Sequence, residues 1–319
     1  MCVHTHFYMK YIVTGGAGFI GSNLVDKLIE DNHEVIVIDD LSLGKKSNIN
    51  KKAQFHKINI ASLDPTKKII NLNTIGKLFE GVDTIFHLAA KTRVQPSIKN
   101  PYLWNTVNVG GTLNLLNLAN THNVRRFVFS SSSSVYGNVS EENLPTPESA
   151  PKNPLSPYGL QKLVGEQYCK LYSTIHDIDT VCLRYFSVYG ERQPTKGDYS
   201  LVMGIFANLK LQGKPLTING DGEQRRDFTY VGDVVSANIK ASMSDKVGKG
   251  EILNVGNGDN RSVNDVANMI GGPVVHTEPV IEPRETLADN SKTRRLLNWN
   301  PTMTLEDWMP SYKKSLGLK

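Results

Sequence analysis

Thr14-Gly15-Gly16-Ala17-Gly18-Phe19-Ile20-Gly21 follows a short β-rich run, Tyr11-Ile12-Val13, and opens a helical stretch, Ser22 to Asp31. A strand that turns on spaced glycines into a helix is a dinucleotide-binding signature. Gly15 makes the tight turn. Gly18 lets a pyrophosphate come up to the helix N-terminus, and Gly21 lets helix and strand pack closely. Asp39 ends the next strand, 18 residues after Gly21. A carboxylate there accepts both hydroxyls of an adenosine ribose and repels a 2′-phosphate, so NAD is expected over NADP. Lys45 and Lys46 weaken that preference slightly.

The alternation continues outward. Strand runs at Glu34–Ile38, Phe55–Ile58, Thr84–Leu88, Phe127–Ser130 and Val181–Arg184 are separated by helical stretches at Ile75–Glu80, Tyr102–Thr121 and Pro157–His176. Such βαβ order builds a parallel sheet, and short apolar runs fit strands covered on both faces. Ser156-Pro157 starts its helix well, a hydroxyl cap before proline at the first helical position. After Arg184, glycine, proline and polar residues punctuate Gly190 to Asp227. A strand at Ile252–Val255 and helical segments at Asn264–Ile270 and Lys292–Leu297 follow. The expected fold is α/β, a Rossmann-type doubly wound parallel sheet with a smaller α/β C-terminal substrate lobe. Residues 9–184 and about 228–256 are assigned to the nucleotide-binding domain, 185–227 and 257–319 to the lobe, and 1–8 to an extension.

Composition sets the bounds. The 319 residues exceed one small core, and 39% hydrophobic with 21% charged residues fits a soluble globular chain and excludes wholesale disorder. No apolar run approaches the roughly 18 residues that cross a bilayer. Met1 to Tyr8 lacks the apolar core of a secretory signal. The net charge of +5 is scattered in short pairs rather than gathered in a stripe. No nucleic-acid or membrane partner is expected, and the excess suits an anionic small molecule. Cys2, Cys169 and Cys182 are too few and too irregular for a disulfide framework or a zinc site. No metal and a cytoplasmic location are expected.

Tyr158 and Lys162 are four apart and share a helical face. Ionising a free tyrosine at pH 7 costs about 4 kcal/mol. A nearby ammonium, with a cationic nicotinamide ring, lowers that cost. Tyr158 would then take a proton from a sugar hydroxyl, with Ser132, at a strand end, bonded to the same oxygen. The spacing alone is weak, since a tyrosine and a lysine often lie together on a helix surface. Its weight comes from the glycine turn and the strand-end serines.

Thr14 to Gly21, His87-Leu88-Ala89-Ala90, Asn108-Val109-Gly110-Gly111-Thr112, Ser131 to Gly137, Tyr158-x-x-x-Lys162, Arg184-Tyr185-Phe186 and Gly220-Asp221-Gly222-Glu223 through Arg226-Asp227-Phe228 together resemble the extended short-chain dehydrogenase/reductase family. The branch they most resemble is the nucleotide-sugar 4-epimerases acting on UDP-hexoses and UDP-N-acetylhexosamines. The resemblance implies a seven-stranded sheet, a tightly bound NAD, a UDP-sugar substrate and a homodimer built from two helices per subunit. It places the cofactor on Gly15, Gly18, Phe19, Ile20, Gly21, Asp39, Asn59, Ile60, Leu88, Ala89, Ala90, Asn108, Ser130, Tyr158, Lys162 and Tyr185. It places the substrate on Arg93, Ser132, Ser133, Tyr158, Ser187, Arg226, Arg284 and Thr286, and catalysis on Tyr158, Lys162 and Ser132.

Relatives that eliminate water or lose CO₂ carry carboxylates after the catalytic serine or threonine. Here Ser132-Ser133-Ser134-Val135-Tyr136-Gly137 has none, which leaves oxidation at C4 and return of the hydride to the opposite face. Several positions depart from the family. Asn59 stands where aspartate often holds the adenine, and Ser187 replaces an asparagine. Val280 falls where an arginine is expected, which Arg284 would compensate. Thr286, at the position that sets pocket size, is small and leans towards N-acetylated sugars, unless other residues close the pocket. Arg93 reads a substrate carboxylate, as in a uronic acid, or pairs with a nearby acid or phosphate. His87 is read as a hydrogen-bonded core histidine. Leu160, Leu163, Val164, Leu171 and the Leu113–Leu118 positions serve either a core or a dimer face. Competing readings are another nucleotide-sugar enzyme (uronic acid 4-epimerase, 4,6-dehydratase or decarboxylase) and a non-catalytic NAD-binding regulator.

Overall fold

The structure, a computed structural model, describes residues 8–64, 72–195 and 200–318. The expected extension, apart from Tyr8, lies outside them. The first half of the chain runs β1 (Lys10–Thr14), α1 (Phe19–Glu30), β2 (Glu34–Asp39), β3 (Gln54–Lys57), α2 (Leu72–Phe79), β4 (Thr84–His87), α3 (Val94–Lys99), α4 (Pro101–Asn105), α5 (Gly111–Thr121) and β5 (Arg126–Ser132). Next come α6 (Pro157–Ile175), β6 (Asp179–Tyr185), β7 (Ser187–Tyr189), α7 (Val202–Leu211), β8 (Leu216–Asn219), β9 (Arg225–Tyr230) and α8 (Val231–Met243). The chain closes with β10 (Glu251–Val255), β11 (Asn260–Ser262), α9 (Val263–Ile270), β12 (Val274–Thr277), α10 (Ser291–Leu297) and α11 (Leu305–Ser315).

Seven parallel strands form the central sheet in the order β10-β6-β5-β4-β1-β2-β3. Alternate side chains explain its two-sided cover. Val13, Val35, Val37 and Val128 join one core with Leu24, Val25 and Leu28 of α1 and Val234 of α8. Ile12, Ile36, Ile38 and Phe127 join the other with Leu115 and Leu116 of α5 and Cys169 and Tyr172 of α6. Strand order reverses between β1 and β4, which opens a crevice at the carboxyl ends of the strands, where such sheets bind ligands.

The long helix expected over Tyr102–Thr121 is interrupted. α4 and α5 are joined by a wider π-helical turn over Thr106–Gly110. That extra residue brings Asn108 inward, where it bonds both main-chain atoms of Lys91 (2.8 and 2.9 Å).

Beyond the central sheet lie β7-β9-β11, the pair β8-β12, and a third core of Tyr189, Met203, Phe206, Val266 and Trp308. Residues 291–299 fall within the expected lobe, yet Leu297 and Trp299 bury in the core beneath α8, and Trp299 Nε1 donates to Asp233 O at 2.9 Å. Asp227 ties the parts together, accepting from the amides of Asn257, Gly258 and Ala288 at 2.7, 3.0 and 3.0 Å.

Candidate active site

The glycine turn is sterically fixed. Gly15 has φ 72°, and a Cβ there would sit 2.7 Å from Ala89 N. A Cβ on Gly21 would lie 2.2 Å from Gly15 O, so α1 could not approach β1 this closely with any side chain. Gly18, at the N-terminus of α1, would meet only Gly15 O, at 3.1 Å. Its remaining space faces the cavity, as a pyrophosphate cradle requires. Asp39, nearly buried at the end of β2, accepts from Ala17 N at 3.1 Å and Leu41 N at 2.8 Å. Burial pushes its carboxyl upward against these two amides.

A cavity of about 1110 Å³ extends from Asp39, Asn59 and Ile60, past the glycines, to Ser132, Tyr158 and Lys162. At the first end Asn59 uses its side-chain oxygen on Ala61 N (2.9 Å), capping its own short turn. The depth, the glycine cradle and the terminal carboxylate fit an extended dinucleotide with a free 2′-hydroxyl.

At the other end α6 presents the face that carries Tyr158 and Lys162. Ser156 Oγ accepts from Gly159 N at 3.2 Å and Pro157 takes the first helical position, as expected. Tyr158 and Ser132 both line this end. Ser132 Oγ donates to Ser134 Oγ at 3.0 Å and accepts from Ser134 N at 3.1 Å, and Ser97 Oγ accepts from the Tyr158 main-chain N at 3.2 Å. Lys162 is buried, donates to Ser130 O at 2.6 Å and stands 6.0 Å from the centre of the Tyr158 ring. Burial lowers its pKa to about 8. The sequence leads one to expect a phenol pulled down by Lys162. Instead burial raises the Tyr158 pKa, opposed by the neighbouring Ser132 hydroxyl and by the charge of Arg93. Arg93 reaches this place from a backbone at φ 82°, a conformation costing a non-glycine residue about 1–3 kcal/mol.

His87 is structural. Its Nδ1 meets Thr14 Oγ1 and its Nε2 meets Thr112 Oγ1, both at 2.8 Å. Thr112 Oγ1 donates to Asn108 O, so Nε2 carries the ring proton. Burial drives the ring's pKa down to about 3, so it stays neutral.

The cavity gathers most of the expected residues. Leu88, Ala89, Ala90, Arg93, Ser130, Ser133, Tyr185 and Ser187 line it with those already named. Tyr185 bonds Ser130 Oγ at 3.0 Å and donates to Asn238 at 2.9 Å. Asn108, Arg226, Arg284 and Thr286 are not among the described lining residues. Asn108 instead holds the Lys91 segment. Arg226 pairs with Glu282 at 2.6 Å, and Arg284, on the surface, pairs with Asp221 at 2.8 Å. Thr286 accepts from Asp227 N at 3.3 Å. Lys91 and Arg192 also line the cavity, and the sequence reading misses both. Lys91 directly follows His87-Leu88-Ala89-Ala90, which was the available signal.

Parallel sheet, glycine turn and Tyr-Lys-Ser end together define a dinucleotide-dependent enzyme fold. The match is specific: residues 11–256 fit the model of the NAD dependent epimerase/dehydratase family, and the chain belongs to that family. It is 42% identical to a putative UDP-glucose 4-epimerase of Methanocaldococcus jannaschii over 93% of this chain and 94% of that one. It is 35% identical to the crystal structure of UDP-glucose 4-epimerase with UDP-glucose from Thermotoga maritima, covering 97% of this chain and all of that one at a TM-score of 0.87. It is 30% identical to UDP-glucose 4-epimerase of Thermus thermophilus in complex with NAD, over 97% and 99% at a TM-score of 0.86.

Proposed function

We propose that this protein is an NAD-dependent epimerase that inverts C4 of a UDP-sugar. The observation that carries the reading is the placement of Tyr158, Lys162 and Ser132 together at the far end of a cavity whose near end holds Asp39. NAD, held by Gly15, Gly18, Gly21 and Asp39, supplies the two-electron oxidation and re-reduction at C4. Tyr158 removes the C4 hydroxyl proton and returns it in the second half of the cycle. Ser132 holds the same oxygen through the transfer, and the charges of Arg93 and Lys162 favour the phenolate. Among the described lining residues the only acids are Asp39 and Asp40, at the ribose end. Among the described residues that line the cavity beside Ser132, no carboxylate is placed to eliminate water from the ketone, which disfavours a dehydratase.

The sugar is proposed to meet Arg93, Ser133 and Ser187. In this reading Arg226 exchanges Glu282 for the substrate diphosphate, Arg284 does the same from Asp221, and Thr286 borders the sugar from behind Asp227. UDP-glucose, UDP-galactose and their N-acetylated counterparts are the proposed substrates. A second reading, a UDP-uronic acid, is favoured by the placement of Arg93 beside Tyr158.

The same reading keeps 185–227 and most of 257–319 as the substrate lobe. It makes the protein a homodimer through α4 and α6, where Tyr102, Leu103, Leu160, Leu171 and Ile175 are exposed. A cytoplasmic location agrees with the free, buried Cys169 and Cys182. The test is incubation of the purified protein with UDP-glucose, UDP-N-acetylglucosamine and UDP-glucuronate, followed by NMR. Inversion at C4 of at least one supports the proposal, whereas loss of water or CO₂ without inversion overturns it.

A further inference from the structure

Three residues of α6, spaced four apart on one helical face, meet the end of β5, and two of them grip it by hydrogen bonds. Tyr158 lines the cavity with Ser132, Lys162 Nζ donates to Ser130 O at 2.6 Å, and Glu166 Oε1 accepts from Ser131 Oγ at 2.5 Å. Only the first two belong to the machinery described above. Side chains alternate along a strand, so Ser131 points to the α6 face while Ser130 turns to the other, where it meets Tyr185. Fixing Ser131 therefore sets the rotation of the strand end and the direction in which Ser132 faces the cavity.

Glu166 is fully buried, a costly place for a carboxylate. Arg184, the register partner of Ser131 on β6, forks onto it: Nε to Oε1 at 2.8 Å and Nη2 to Oε2 at 2.7 Å. Nη1 of Arg184 donates to the Tyr136 hydroxyl at 2.7 Å, and that hydroxyl donates to Asn254 at 2.7 Å. Apolar side chains of similar volume would fill this space at least as favourably. What the ion pair adds is direction, because an ionised carboxylate with two oxygens already fixed accepts a serine proton from one angle only.

We propose that Glu166 is a positioning residue: through Ser131 it holds the end of β5 so that Ser132 meets the substrate hydroxyl bonded to Tyr158. Its charge also favours the ammonium form of Lys162, one turn away. The proposal deepens the epimerase reading and rests on it.

The test compares Ser131→Val with Ser131→Thr, nearly equal in volume, of which only threonine keeps the hydroxyl. Losing a hydrogen bond to a charged group is expected to lower kcat about ten-fold in Ser131→Val, with KM and the Kd for the UDP-sugar within about two-fold. Ser131→Thr is expected to return to within about three-fold of the parent. Amide hydrogen exchange of the Phe129–Tyr136 segment, read without substrate, should quicken in the valine variant and not in the threonine one. Glu166→Gln should lose at least as much kcat as Ser131→Val, and if it fails to fold, the Ser131 pair decides. Equal kcat and equal exchange in the valine and threonine variants of an active protein overturn the anchoring. A parent inactive on every UDP-sugar but showing the exchange difference overturns the epimerase reading and leaves the anchoring standing.

Discussion

Lys162 is tied by its ammonium to the main-chain oxygen of Ser130, 2.6 Å away, with the Tyr158 ring centre at 6.0 Å. The lysine is thus held by the strand, and in the proposed mechanism its charge acts on the phenol across a gap. That charge is itself precarious. With a pKa lowered by burial to about 8, Lys162 discharges just above neutrality. kcat/KM measured between pH 6 and 10 should therefore fall on the alkaline side with a midpoint near 8. Stability moves the other way. Below pH 8 the lysine is charged in both folded and unfolded states and its burial cost is fully present. The unfolded chain holds that proton to about pH 10.4, so this group's contribution becomes more favourable as pH rises above 8. An alkaline limb of activity displaced beyond pH 9.5 would contradict this assignment.

Tyr158→Phe removes the proposed base and leaves the ring. Turnover should drop by about 10²–10⁴-fold, the range for loss of positioned proton transfer. Circular dichroism and NAD content should match the parent. A variant retaining a tenth of the parent turnover would show that the proton leaves by another route.

Gly21→Ala places a methyl 2.2 Å from Gly15 O, a main-chain atom that no rotamer change can move aside. Overpacking of this kind costs roughly 1–3 kcal/mol. Thermal melts should show a lowered Tm, and the purified protein should carry less NAD. Gly18→Ala, with its nearest contact at 3.1 Å, should keep the parent Tm when both proteins are stripped of NAD, while losing NAD affinity. Equal melting of both variants with the parent would show that the turn can shift.

Asp39→Ala withdraws the carboxylate that orders Ala17 N and Leu41 N and that is proposed to take the ribose hydroxyls. Hydrogen bonds to a charged group contribute about 1.5–3 kcal/mol, so NAD affinity by calorimetry should weaken roughly 10- to 100-fold. Preference for NAD over NADP should shrink with it. Unchanged NAD binding would move the ribose site elsewhere.

Local rules made much of this legible from residues alone. Tyr11-Ile12-Val13 with the glycines after it, and Ser156-Pro157 ahead of Tyr158, carry their conformations in their own side chains. The π-helical turn at Thr106–Gly110 was hidden, because it serves a tertiary bond between Asn108 and Lys91. Arg226 and Arg284 looked free to meet phosphates, since nothing in the linear order shows Glu282 and Asp221 folding back onto them. Burial had the same effect on Tyr158, whose pKa depends on how deeply the cavity takes the ring. Glu166 was within reach. It continues the four-residue spacing of Tyr158 and Lys162 by one more turn, as an acid on the buried face of a helix.

The central claim is that a sugar is oxidised and re-reduced at one carbon, with the hydrogen kept within the complex. The direct measurement is to run the reaction in D₂O on the UDP-sugar that turns over and to examine C4 and C5 of the product by proton NMR. The account predicts inverted C4 still bearing protium, with no deuterium at C5. Deuterium at C4, or exchange at C5 with loss of water, would contradict it.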